Sequence, residues 1–416
     1  MTSLFDLVTQ QVGKGIALAL VALLSAAVYV IGRVVWREIR RFGCFLYSRH
    51  RTLSAVARTT TKDGTREGNG VWIAQPIEQP DDYKSNFHGA KVLAIANLKG
   101  GVGKTTLAAN IGAFLSHDQR WNKRVLLIDL DFQGSLSSMV LPEDERWLPP
   151  AGQDSLASRM ISGDLDAGLL VSCAKPTQHQ PRLKIITAHY DLAQADNRLL
   201  IEWLLKCRNR AEKSVRRALG DLLYGKLFKR YDVRYNLADV LHSDAVREAF
   251  DLVIIDCPPR LTTGTIQALC ASSHLLVPTI LDRPSAEAVL RFCEQVEGLK
   301  SANICPHLKV LGAVGSKYRD GLNAENGASA RIADRLREMK VGYGMLPNIL
   351  FFPQTVELVR DATDGIAYFV MANNDSGKKA RTAIEALSTY IAQHIGLPPD
   401  PASHTPFVST QQVNAK

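Results

Sequence analysis

None of the cysteines of this 416-residue chain forms a C-x-x-C pair, and none has a histidine at metal-ligand spacing. The seven present, Cys44, Cys173, Cys207, Cys257, Cys270, Cys293 and Cys305, are scattered. That excludes a zinc-binding knuckle or a disulfide framework and reads as reduced thiols of a cytosolic domain. Charge is missing altogether from Gly15 to Gly32, 18 positions long. With Val34 and Val35 beyond Arg33, that run reaches the roughly 20 apolar residues of a bilayer span. Only Asp6 and Lys14 carry charge before it, and its length exceeds that of a leader peptide, which argues against a cleaved signal. A third absence is one glycine: in the strict phosphate-loop pattern G-x-x-x-x-G-K-[ST], Leu98 stands where the first glycine belongs.

What is present is a globular composition, 46% hydrophobic and 22% charged, with a formal charge of +9 that is unevenly distributed. Arg33, Arg37, Arg40, Arg41, Arg49, Arg51 and Arg58 all follow the apolar run, against Lys14 alone before it. The positive-inside rule then predicts an extracytoplasmic N-terminus over residues 1–14, a transmembrane helix over 15–36 and everything after it in the cytoplasm, at the inner membrane. Residues 37–90 read as a basic juxtamembrane segment followed by a flexible linker, because TTTKDGTREGNG has no apolar period and Pro76 and Pro80 follow it.

From residue 91 to 396 unbroken apolar runs alternate with helical patterns. Strands are predicted at Val92–Asn97, Val125–Asp131, Leu183–Thr187, Leu252–Asp256, Leu275–Thr279 and Val310–Gly315, with a short one near Met345–Pro347. Such runs suit strands buried on both faces, so the fold class is α/β: a doubly wound, mostly parallel sheet. A basic insertion at about 197–241 reads as two amphipathic helices with a cationic face, including Arg216, Arg217, Lys229, Arg230 and Arg234. Such a face is either solvated or bound to an anionic partner, DNA or lipid headgroups. Residues 397–416 read as a flexible tail.

Three elements are expected to converge on one site. Lys99-Gly100-Gly101-Val102-Gly103-Lys104-Thr105-Thr106 follows a strand and opens a helix, so backbone amides and the helix N-terminus can cradle phosphates. Lys104 is placed for the β- and γ-phosphates and Thr105 for Mg²⁺. Asp129 and Asp131, two apart on a strand, share a face, and Asp256 ends the run Leu252–Asp256. One or two carboxylates plus phosphate oxygens is the donor set of Mg-ATP rather than of a protein-caged metal.

The set KGGVGKTT, LLIDLDFQG and DLVIIDCPP resembles the ParA/MinD/Soj family of deviant Walker P-loop ATPases over residues 90 to 396. The resemblance implies an ATP-sandwich homodimer in which Lys99 crosses to the partner's phosphates and Gly100 lies at the dimer face. It also implies that Asp131 assists the attacking water near Mg²⁺, giving Lys99, Lys104 and Asp131 as catalytic residues and Thr105, Asp131 and Asp256 as the metal set. Phe132, Ser135 and Arg260 depart from the family pattern, where Pro, Asn and Ser are usual, and Pro347–Ala362 resembles a late segment that closes beside the base. The expected function is a membrane-anchored ATPase whose ATP binding and slow hydrolysis switch recruitment of DNA or a protein partner, with a further stimulating protein. An alternative is a nucleotide-gated membrane scaffold or defence component with little turnover. A polysaccharide-type tyrosine kinase fits less well, since Tyr390 stands nearly alone after Tyr368 where such kinases carry a tyrosine cluster.

Overall fold

The computed structural model describes residues 21–40, 70–73, 79–80, 83, 91–142, 153–206, 232–280, 283–318, 352–353 and 365–402. The chain divides into two units, Met1–Thr61 and Lys62–Lys416. In the first, residues 21–40 are helical and exposed, with Leu23, Val28, Ile31 and Trp36 all open to solvent. They include the C-terminal half of the uncharged run. No helix among the described residues is long and apolar enough to cross a membrane.

Among its described residues the second unit holds an eight-stranded sheet: β1 (Lys91–Ile95), β2 (Val125–Asp129), β3 (Lys175–Pro176), β4 (Leu183–Ile186), β5 (Leu252–Asp256), β6 (His274–Ile280), β7 (Lys309–Tyr318) and β8 (Phe352–Pro353). Its order is β3-β4-β2-β5-β1-β6-β7-β8, and every pairing is parallel except β3 with β4. The predicted parallel α/β sheet is therefore present. The expected strand near Met345–Pro347 lies outside the described residues.

Alternation along the strands explains the two-sided core. Val92, Ala94, Leu126, Ile128, Val253 and Ile255 enter one cluster, and Leu93, Ile95, Leu127, Leu252 and Ile254 the other. Helix α1 (Lys104–His117) covers the second face together with the C-terminal helix Asp375–His394. Helix α2 (Asp191–Lys206), helix α3 (Thr263–Ala271) and helix α4 (Arg283–Ser301) pack on the first. Gly112 sets how closely α1 lies on the sheet, since a Cβ there would meet Leu127 and Leu183 at 3.0 Å.

Two boundaries differ from expectation. Trp72 and Tyr83 fall within the supposed flexible linker, yet they are 6% and 5% exposed. Trp72 stacks on Trp203 of α2 with ring centroids 4.9 Å apart, and the Tyr83 hydroxyl donates to the Cys270 carbonyl at 2.7 Å. Large apolar surface overrides a glycine- and proline-rich context. At the other end the domain runs past residue 396: the Leu397 amide donates to Ala392 O, and Asn122 Nδ2 donates to the Asp400 carboxylate at 2.6 Å.

The basic insertion is also partly reassigned. Arg216, Arg217, Lys229 and Arg230 lie outside the described residues. Arg234, counted on the cationic face, is fully buried, paired with Asp232, donating to the Trp72 carbonyl at 2.5 Å and lying 5.1 Å from the centre of the Trp203 ring. A buried guanidinium needs this many partners, and they come from both the linker and α2.

Trp72→Ala is expected to lower unfolding free energy by about 3 kcal/mol or more, the usual cost of truncating a buried tryptophan. Chemical denaturation of the full chain measures it, and a loss below about 0.5 kcal/mol would mean that the segment carries no packing.

Candidate functional site

The site lies at the carboxyl ends of β1, β2 and β5, where ligands collect in open parallel sheets. After β1 the chain turns at Asn97, which is 1% exposed. Its Nδ2 donates to Pro278 O on β6 at 2.7 Å, and its Oδ1 accepts from the Lys99 amide at 3.3 Å. Gly101 and Gly103 take φ of 70° and 87°, the left-handed region in which glycine avoids a Cβ penalty. Gly103 is the N-cap of α1 and its carbonyl accepts from the Leu107 amide at 2.9 Å. Beneath the loop Ser316 of β7 donates to the Val102 carbonyl, and a Cβ on Gly103 would meet the Ser316 Cβ at 3.3 Å.

Both loop lysines are held inside the chain. The Lys104 ammonium, on a residue 7% exposed, donates to Lys99 O at 3.2 Å, and Lys99 Nζ donates to Ser285 Oγ on α4 at 2.5 Å. Burial lowers the Lys104 pKa, while the charge of Asp256 pulls the other way. Thr105 Oγ1 donates to Asp256 Oδ2 at 2.7 Å.

The carboxylates divide their roles. Asp129 and Asp256 end neighbouring strands in direct register. Asp129 is turned inward: its Oδ1 accepts from the Asp131 amide at 3.0 Å and its Oδ2 from the Ser137 amide and hydroxyl at 2.9 and 2.8 Å. Burial pushes its pKa up to about 6 against those hydrogen bonds. It holds the loop rather than facing the site, because β2 stops at Asp129 and the alternation that would align Asp131 with it no longer applies. Asp131 is half-buried and accepts from the Gln133 amide at 3.1 Å. Asp256 is held well above the usual carboxylate range, first by burial and then by Asp129.

Asp256 Oδ1 is buried and without a hydrogen-bond partner. An orphaned buried carboxylate oxygen beside a threonine hydroxyl, under a glycine loop that opens a helix, is the donor set that a magnesium ion and phosphate oxygens complete. The residues present therefore fit Mg²⁺ with a nucleotide: Thr105 and Asp256 toward the metal, Gly100 to Thr106 and Lys104 toward phosphates. The structure brings Lys99, Lys104, Thr105, Asp131 and Asp256 together around the loop.

Phe132 and Arg260 meet beside this site. The Arg260 guanidinium lies 6.0 Å from the Phe132 ring centre, and both line a cavity of about 90 Å³ with Asp196, Pro258 and Thr262. Sequence reasoning missed Asn97, Ser137, Ser285 and Ser316. Ser137 follows the Asp-x-Gln-Gly turn closely enough to suggest a local cap, whereas Ser285 and Ser316 reach the loop only through the sheet order.

Residues 90–310 match the model of the family described as AAA domain. The chain belongs to this AAA domain family. It is ParA-like: the chromosome partitioning protein ParA of Caulobacter vibrioides is 28% identical over 247 residues, 59% of this chain and 75% of ParA. An uncharacterized protein of Pseudomonas putida is 30% identical over 245 residues, 59% of this chain and 76% of its own length. Among solved structures, cobyrinic acid a,c-diamide synthase from Mycobacterium smegmatis with bound ATP analog and magnesium is 25% identical. The match has a TM-score of 0.52 and covers 75% of this chain and 99% of that one. The AAA domain family match thus spans β1 to β6 and all three motifs.

Gly103→Ala in this ParA-like loop is expected to cost about 1–2 kcal/mol of stability from the left-handed backbone alone, and to weaken nucleotide binding at least tenfold because Ser316 must move. Urea denaturation and titration with a fluorescent ATP analogue measure the two effects.

Proposed function

We propose that this chain is a Mg-dependent ATPase of ParA type that pairs as an ATP-sandwich dimer, and that pairing switches recruitment of DNA or a protein partner at a membrane. The observation that carries the nucleotide reading is the orphaned Asp256 Oδ1 beside the Thr105 hydroxyl, beneath the glycine loop. ParA of Caulobacter vibrioides, a chromosome partitioning protein, and the Mycobacterium smegmatis synthase with its ATP analog and magnesium support it.

In this reading the amides of Gly100 to Thr106 and the N-terminus of α1 bind the phosphates. The Lys104 ammonium leaves the Lys99 carbonyl for the β- and γ-phosphate oxygens, and Thr105 and Asp256 hold the metal side. Bound magnesium supplies positive charge to phosphate oxygens. Asp131 accepts a hydrogen bond from the attacking water and orients it. Lys99 reaches the nucleotide of the second copy, where its charge stabilises the loose transition state of phosphoryl transfer. Hydrolysis to ADP and phosphate removes the group that both lysines share, and the pair separates.

The membrane part of the proposal rests on the uncharged run Gly15–Gly32 and the arginines that follow it. Residues 15–36 anchor the chain in the inner membrane with the ATPase domain in the cytoplasm, and Arg216, Arg217, Lys229 and Arg230 engage DNA or anionic lipid.

Sedimentation of the detergent-solubilised full chain is expected to show a dimer with Mg-ATP and a monomer without it. Lys104→Ala should weaken ATP binding more than tenfold, whereas Lys99→Ala should bind ATP and stay monomeric. Normal hydrolysis by Lys99→Ala would defeat the sandwich mechanism. Replacing Arg216, Arg217, Lys229 and Arg230 together with Ala should reduce retention on anionic liposomes or DNA and flatten its salt dependence; unchanged retention would return these residues to a solvated surface.

A further inference from the structure

We propose that the cavity beside the nucleotide site binds a short branched apolar group carrying a carboxylate, with Arg260 as the partner of that carboxylate. The site stands apart from the ATPase reading; its coupling to nucleotide rests on that reading.

Three segments supply most of the cavity. Leu130 and Phe132 come from the loop after β2, Leu192 and Asp196 from the first turns of α2, and Pro258, Arg260 and Thr262 from the loop that leads into α3. Ile161 of the helix Leu156–Ser162 completes the apolar lining. Leu130, Ile161, Leu192 and Pro258 are buried, whereas Phe132 is 37% exposed and Arg260 is exposed. The cavity therefore has an apolar interior and a lip made of a ring and a guanidinium. Its volume of about 90 Å³ gives room for about six to nine water-sized atoms.

The lip is chemically specific. The Arg260 guanidinium lies 6.0 Å from the Phe132 ring centre, and the Arg260 carbonyl accepts from Thr265 Oγ1 at 2.7 Å, which fixes the residue at the start of α3. Among the described residues this guanidinium makes no hydrogen bond and no ion pair. A guanidinium beside a ring keeps its N–H donors in its own plane, where they match the two oxygens of a carboxylate. Asp196 does not take that role. Its Oδ1 accepts from the Gly264 amide at 2.7 Å, and its backbone carbonyl accepts from Thr263 Oγ1 at 3.1 Å. Burial raises its pKa against the Gly264 hydrogen bond. Asp196 thus holds the start of α3. Inorganic phosphate would leave the apolar interior unfilled, and a plain hydrocarbon would leave the guanidinium unmatched. A branched chain of about four to five carbons ending in a carboxylate satisfies both.

The cavity is also placed to communicate. Leu130 and Phe132 flank Asp131, and Pro258 and Arg260 follow Asp256 closely in the chain. One ligand therefore touches both loops that carry the acids of the nucleotide site. In the ATPase reading the two occupancies are linked, and such linkage is reciprocal. The required group is presented alike by a free branched acid and by a leucine at the C-terminus of another chain.

Saturation-transfer NMR on the detergent-solubilised full chain tests the site with 4-methylpentanoate as probe. A Kd of about 1 mM is expected for a ligand of this size, and absence of binding overturns the site. The neutral amide 4-methylpentanamide and inorganic phosphate are each expected to bind about fivefold more weakly or less. Equal binding of the amide overturns the role of Arg260, and equal binding of phosphate overturns that of the apolar interior. Arg260→Ser removes the charge and Ala193→Leu fills the interior that Ala193 lines; each should weaken the acid about fivefold or more. Parent affinity in the exposed Arg260→Ser variant overturns the assignment even if Ala193→Leu does not fold. N-acetyl-Gly-Gly-Leu with a free carboxylate separates the sources: binding tighter than the acid assigns the site to a chain end, weaker binding to a free acid. A saturating Mg-ATP analogue is expected to shift the acid's Kd about twofold or more, and an unchanged Kd overturns the coupling. A chain that binds the acid but no ATP analogue overturns the nucleotide reading and the coupling with it, while the acid site stands.

Discussion

Two carboxylates forced side by side at the end of a buried sheet are the constraint around which this site is built. β2 and β5 pair in register from Val125 with Leu252 to Asp129 with Asp256, so burying those strands brings both acids to the same level in a medium that opposes charge. The fold resolves the conflict unequally. Asp129 receives three hydrogen bonds from the loop it stabilises, and with Ser137 it shapes the turn that carries Asp131. Asp256 accepts a hydrogen bond from Thr105 and keeps its other oxygen open. One acid thus supports the backbone while the other stays incompletely satisfied, and a divalent cation is the partner that removes both the orphan and the repulsion.

The fold was legible because the strands are buried on both faces and write themselves as unbroken apolar runs. β5 was read with its observed bounds, and the other five long runs were placed to within a few residues. β3 and β8 were not, since two-residue strands ending in Pro176 and Pro353 carry no periodicity. At the site, Lys99, Lys104, Thr105 and Asp256 were legible because motif spacing encodes a strand, a loop and a helix in sequence order. The face shared by Asp129 and Asp131 was misjudged, because a period of two holds only while the strand continues and β2 stops at the first of them. Ser285 was invisible for another reason. It lies 186 residues from Lys99, and only the adjacency of β1 to β6 brings α4 within reach.

Charge counting failed most clearly at Arg234. A local window sees a basic residue among many, whereas the structure places it among Asp232, the Trp72 carbonyl and the Trp203 ring. The same knot explains why a stretch with linker composition is ordered at Trp72. An arginine without surface exposure must find acceptors for its donors, and the chain before β1 provides one of them. The segment that leaves the ATPase domain toward the N-terminus and the two ends of the basic insertion therefore meet at one place, Trp72 against Trp203 and Arg234.

The loop shows how two cations are kept within one cradle. A cradle of inward amides and two lysines is a concentration of positive charge, and left unmatched it would push the loop apart. Here the Lys104 ammonium donates to the Lys99 carbonyl, and the Lys99 ammonium donates to the Ser285 hydroxyl. Neutral acceptors are weaker partners for a cation than phosphate oxygens. Because the acceptor for Lys104 is the backbone of Lys99, the two lysines are not placed independently: a displacement of the Lys104 side chain removes a contact from the loop backbone at Lys99.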